Sequence, residues 1–134
     1  MINTRMSVAI HILSLIAINP KLSSDQIADS VTTNPVVIRR ISSELKKAGL
    51  VTSRAGVTGS SLTRDPEKIT LLDVYKAIHI EKELFSIHDK PNPNCPVGKK
   101  IQGTLDVAFE SVQTAMETEL GNKTLQEVVD HLRK

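Results

Sequence analysis

Two adjacent arginines, Arg39 and Arg40, follow Asn34-Pro35, with Lys46 and Lys47 further along. A guanidinium is a planar fork of donors that can engage the two acceptors on a guanine edge, or a phosphate, in bidentate fashion. Thr32, Thr33 and the backbone N–H groups of a helix start suit phosphate oxygens. Asn34, Val36 and Val37 lie at that start beside Thr33. A second polar group, Arg54, Thr58 and Ser60, falls in a glycine-bearing stretch downstream. Together with Lys46, these residues have the chemistry of a double-stranded DNA contact.

Cys95 is the other reactive group. It precedes Pro96 at the expected start of a long helix, with Lys99 and Lys100 just beyond. A helix N-terminus and nearby cations favour thiolate, the setting of a redox-sensing cysteine. A structural cysteine at the helix cap is the competing reading. With no second cysteine, sensing requires an intermolecular or a mixed disulfide.

The rest of the chain excludes more than it offers. His11, His79, His88 and His131 are scattered without metal-ligand spacing, and no metal or cofactor is expected. Asp73 and Glu81 have no partner motif. There is no P-loop, nucleophile elbow or pair of carboxylates, so the chain does not read as an enzyme.

Composition sets the frame. With 134 residues of which 40% are hydrophobic, the chain can build one real core. One Tyr, two Phe and no Trp make that core aliphatic and argue against base-stacking, single-strand surfaces. Residues 1–64 hold eight basic and three acidic groups, and residues 65–134 hold nine and twelve, so a basic front half precedes an acidic back half. The apolar run at 8–18 is interrupted by His11 and Ser14, lacks a small-x-small cleavage site and is too short to span a bilayer. A buried helix of a cytoplasmic protein, with no membrane partner, is the expectation.

These groups must be positioned by helices. Residues 3–18 read as a helix apolar on most sides, stopped at Asn19-Pro20. Ser23 and Gln26 fit a capping box opening a short helix to about Val31. Thr32-Thr33 make a tight turn. Asn34 as N-cap and Pro35 at the first helical position start a helix to about Ala48, with Ile38, Ile41, Leu45 and Ala48 on one face, and Gly49 stops it. Residues 50–53 and 61–63 read as strands around a tip containing Gly56 and Gly59. Thr70 caps a helix to about His79. Residues 80–96, with Pro91, Pro93 and Pro96, read as a loop. A long helix follows over about 97–120, with a wide apolar stripe, and Thr124 opens a last amphipathic helix.

This order is that of a mostly α protein, a winged helix-turn-helix with a two-stranded β wing and a long C-terminal dimerisation helix. Residues 1–79 are expected to form the DNA-binding domain, 80–96 the loop and 97–134 the dimerisation helices. The stripe on 97–120 exceeds what one small domain covers, which points to a homodimer. Two further readings stay open: a winged-helix protein-interaction module without DNA, and a thiol sensor acting through a partner protein.

The stretch Asn34-Pro35-Val36-Val37-Ile38-Arg39-Arg40-Ile41 through Lys46-Lys47-Ala48-Gly49-Leu50-Val51-Thr52-Ser53 resembles the Rrf-two family of bacterial regulators (IscR/NsrR/CymR-type). So do the glycine-bearing wing, Ile69-Thr70-Leu71-Leu72-Asp73-Val74 after it, and the long helix after a Pro-rich loop. Asn92 to Gly98 is similar to the Asn-Pro-x-Cys-Pro-Val-Gly of its YwnA-like members, which lack an iron–sulfur cluster. The resemblance covers nearly the whole chain and implies a homodimeric regulator, usually a repressor, on a palindromic operator. Two features depart from the family. Its wing often reads Arg-Gly-x-x-Gly-Gly-Tyr, where this chain has Arg54-Ala55-Gly56-Val57-Thr58-Gly59-Ser60-Ser61. Its cluster-binding members carry three closely spaced cysteines, where this chain has Cys95; a cluster here would need unusual ligands such as His88 and Asp89.

Overall fold

The structure is a computed structural model that describes residues 4–78 and 91–134. Helix α1 (Thr4–Ile18) is apolar nearly all round, and it is buried by neighbours on several sides. Ala9, Ile12, Leu13 and Ile16 form the centre of the core. Ser14, a buried polar residue on α1, donates its hydroxyl to the Ile10 carbonyl at 2.8 Å.

Helix α2 (Ser24–Val31) opens with the full capping box: Ser23 Oγ accepts from Gln26 N–H at 3.2 Å, and Gln26 Oε1 accepts from Ser23 N–H at 2.9 Å. Thr32 ends it in the left-handed conformation, φ 60°. That region strains a β-branched residue. The Thr32 and Thr33 N–H groups both donate to the Ala28 carbonyl, which closes the turn.

Helix α3 (Pro35–Lys47) begins where Asn34 Oδ1 accepts from Val36 N–H at 2.8 Å. Ile38, Ile41 and Leu45 are its buried edge. Gly49, φ +78°, lets the Leu50 N–H return to the Leu45 carbonyl at 3.0 Å, a Schellman closure that seats Leu50 in the core.

Strands β1 (Val51–Thr52) and β2 (Ser61–Leu62) pair antiparallel, Val51 opposite Leu62. They are shorter than the expected runs because only one end of the hairpin, Val51 and Leu62, packs on the core. A 3₁₀ turn, Pro66–Lys68, follows the wing where Asp65-Pro66 breaks the second strand, and leads to α4 (Leu71–Ile78). The expected helix end at His79, the loop over 80–90, and with it Glu81, His88 and Asp89, lie outside the described residues.

Helix α5 (Pro96–Gly121) runs 26 residues, about 39 Å at ~1.5 Å per residue, with none of them buried. Helix α6 (Leu125–Leu132) turns back: Leu125 and Val129 enter the core beside α1, and Thr70 and Thr124 form an antiparallel bridge. The two helices of 97–134 differ in burial: α6 gives Leu125 and Val129 to the core, whereas α5 buries no residue and packs on α4. No helix among the described residues is long and apolar enough to cross a membrane.

Candidate nucleic-acid interface

The geometry of α3 sorts the candidate residues. At 100° per residue, Val36 and Ser43 lie along the middle of its outward face, Lys47 and Arg40 about 20° and 40° from Val36 on one side, and Arg39 and Lys46 about 60° and 80° from it on the other. All six are exposed, and Val36 is 51% accessible despite being apolar. Val37, placed among the contacts by its position in sequence, is half-buried and packs against the core.

The two arginines enter different depressions. Arg39 and Lys46 line a groove of about 470 Å³ whose other walls are Ser23 and Ser24 at the start of α2 and Thr58, Gly59 and Ser60 of the wing. Arg40 and Lys47 line a cleft of about 460 Å³ on the opposite flank, against Lys76 of α4. Sequence adjacency hides this split.

Thr32, Thr33 and Asn34 border a third depression beside Asp25 and Asp29 of α2. Asn34 spends its side-chain oxygen on the helix cap, so its amide NH₂ is what remains to face a ligand. It cannot read adenine in bidentate fashion while it caps α3.

The wing is set by one close approach. Ser60 N–H donates to the Pro20 carbonyl at 3.1 Å, and Gly59, φ +104°, lies flat against Pro20 and Lys21. This backbone-to-backbone seam brings Thr58 and Ser60 opposite Arg39 and Lys46. Arg54 is exposed at the base of the hairpin and does not line that groove.

Cys95 is apart from all of these. It is the N-cap of α5, half-buried, and its sulfur makes no capping hydrogen bond of ordinary geometry. The Gly98 N–H, and next the Val97 N–H, still lie near enough to favour thiolate and hold the thiol below its usual pKa. Among the described residues no group of three or more His, Cys, Asp and Glu side chains is arranged to hold a metal. His11 shares a hydrogen bond with Ser30 Oγ at 3.1 Å.

A turn closed on Ala28, an outward helix with cations on both flanks and a wing seamed to the body form a winged helix-turn-helix. The profile of the Rrf2 family, described as iron-dependent transcriptional regulators, matches residues 2–131. The chain belongs to the Rrf2 family. It is 62% identical over 132 residues to YwnA of Bacillus subtilis (strain 168), a candidate HTH-type transcriptional regulator, covering 98% of this chain and 99% of that one. A crystal structure of a candidate DNA-binding protein superposes with a TM-score of 0.78 at 59% identity, covering 92% of this chain and 97% of that one. The structure of CymR, the global cysteine regulator of B. subtilis, has the same fold, with a TM-score of 0.69 at 20% identity over 97% of this chain and 96% of that one. This Rrf2 chain is thus a DNA-binding transcription regulator by family, with the winged-helix fold those structures share.

Proposed function

We propose that this Rrf2 protein is a homodimeric repressor that binds a palindromic operator through α3 and the wing, in the cytoplasm. The observation that carries the reading is the outward face of α3, exposed from Val36 to Lys47 and flanked by cations, with the wing hydroxyls held across a groove from Arg39. A helix so presented fits the major groove, and Thr32, Thr33 and the wing fit the backbone beside it.

Dimerisation is supported by α5. Val97, Ala108, Val112 and Ala115 share one side of it and are all exposed, Val97 at 67% and Val112 at 47%. An isolated helix gains little in water unless its apolar side is covered. A second uncovered apolar surface, lined by Ile10, Leu15, Ile18, Val128 and Leu132, lies between α1 and α6. A two-fold pair would set two α3 helices about one DNA turn, ~34 Å, apart.

The deciding experiment is DNA binding by wild type and Arg39→Ala/Arg40→Ala at two salt concentrations, using the region upstream of the protein's own gene and a duplex selected from random sequence. Salt-sensitive binding by wild type, lost in the double variant, is expected. Failure of wild type to bind either DNA overturns the reading and favours a protein-interaction module.

The lowered thiol of Cys95 supports a second role. Its thiolate would attack a small disulfide, forming a mixed disulfide and releasing the small thiolate, at the foot of the helix that joins the two subunits. Altered DNA binding after such treatment, absent in Cys95→Ser, is the expected result; unaltered binding returns Cys95 to a structural role.

A further inference from the structure

We propose that the cleft between α3 and α4, lined by Arg40, Lys47 and Lys76, is a second phosphate site, holding the DNA strand opposite the one the wing faces. The inference rests on the reading of α3 as the helix that enters the major groove.

Physical dimensions lead to it. An α-helix with its side chains is about 10–12 Å across. The major groove is about 12 Å wide. A helix lying in it therefore fills it, and its two flanks meet the two phosphate walls while its middle meets base edges. On α3 the middle line holds Val36 and Ser43, a methyl-bearing and a hydroxyl side chain, with Lys47 about 20° and Arg40 about 40° from Val36 toward α4. One flank, Arg39 and Lys46, already has a built second wall, the wing and the start of α2.

The other flank has one too. Lys76 projects from α4 to the same cleft as Arg40 and Lys47, a depression of about 460 Å³ with Ser43 at its edge. Among the described residues Glu44 is the acid that lines it, and Arg5 of α1 binds that carboxylate through both oxygens. The acid is thereby neutralised from behind. Arg40, Lys47 and Lys76 form no ion pair with any described residue. Three such cations, gathered around one concavity, attract a polyanion, and bound phosphate would release the counterions they hold.

Lys76 lies beyond the wing in sequence, outside the helix-turn-helix. It makes this site different in kind from the arginine pair. Arg40 on this view is a backbone contact, and base choice falls to Val36, Ser43 and the start of α3.

The test is the salt dependence of binding by the full chain to a duplex selected from random sequence and to a mixed-sequence duplex. Lys76→Ala is compared with Lys76→Arg and with Lys68→Ala, an exposed lysine on the 3₁₀ turn outside the cleft. Because Lys76 is exposed, its loss leaves the fold intact. Each phosphate contact contributes ~0.9 to the slope of log affinity against log salt. Lys76→Ala is expected to lower the slope by about that amount, to weaken both duplexes alike and to leave the selected sequence unchanged, with Lys76→Arg and Lys68→Ala behaving as wild type. An unchanged slope in Lys76→Ala, while Arg39→Ala weakens binding, overturns the inference and leaves the cleft to an acidic protein partner. Absence of wild-type binding overturns the DNA reading itself, and the phosphate site with it.

Discussion

Gly59 lies so close to Pro20 that a Cβ on it would stand 2.2 Å from the Pro20 carbonyl oxygen, the same oxygen that accepts the Ser60 N–H. The wing is thus held by backbone against the loop that precedes α2, not by side-chain packing at its tip. Gly56, also at positive φ, has nothing within 4 Å of its would-be Cβ. The two glycines give a controlled comparison. Gly56→Ala meets only the cost of its φ, on the order of 1–2 kcal/mol. Gly59→Ala adds a backbone collision and must break the seam. Thermal melting is expected to fall further for Gly59→Ala, and DNA affinity to fall with it, while Gly56→Ala keeps affinity. Equal affinities in the two variants would show that wing placement does not depend on Pro20.

Val112 is 47% exposed on a helix that buries no residue. Val112→Asp therefore costs the monomer little and places a charge in the middle of the proposed dimer contact, where desolvation of an unpaired carboxylate is worth several kcal/mol. Sedimentation is expected to show a monomer with native helix content, and DNA affinity to drop as the two half-sites uncouple. A Val112→Asp protein that remains dimeric would move the interface elsewhere.

The Cys95 thiol is held below its usual pKa by the Gly98 and Val97 N–H groups. Alkylation by iodoacetamide follows the thiolate fraction. Its rate is expected to reach half its maximum at a lower pH than that of a free cysteine peptide. Identical pH profiles would remove the electrostatic basis for sensing. Gly98 itself is confined: a Cβ there would lie 2.3 Å from the Asn92 carbonyl oxygen. Gly98→Ala should therefore displace the cap and raise the thiol back toward the peptide profile.

Asp73 ties the exit of the wing to α4. Its Oδ2 accepts from the Thr70 N–H and from Arg64, both at 2.9 Å, while Arg64 Nε also donates to the Lys68 carbonyl. Partial burial works to raise the carboxyl pKa; the Thr70 N–H, the Arg64 guanidinium and the Thr70 side chain outweigh it, and the net shift is downward. A carboxyl depressed in the folded state adds stability above its unfolded pKa and loses it as pH falls through the folded one. Wild type is expected to lose stability on acidification below the ordinary carboxylate range, and Asp73→Asn to be less stable at neutral pH with a shallower acid dependence. Urea denaturation at a series of pH values checks this; parallel curves for the two proteins would assign the pH dependence to other carboxylates.

Much of the fold was legible in the sequence because its signals are local. Asn34-Pro35, Ser23 with Gln26, and Gly49 act within a few residues of themselves, so the ends of α2 and α3 follow from side-chain chemistry alone. The basic outward face of α3 follows from helical period, as does the uncovered stripe on α5. Distant packing decided the rest. That α6 closes the core under α1 depends on which apolar face fits the space left by the other helices. Arg39 and Arg40, neighbours in sequence, part because 100° of helical turn sends one to the wing and the other to α4. Lys76 joins the second because α4 happens to cross there. Gly59 matters more than Gly56 because Pro20, far from it in the chain, passes within contact of it. Capping and period are written in adjacent residues; a wall, a seam or a cleft exists only where two remote segments meet.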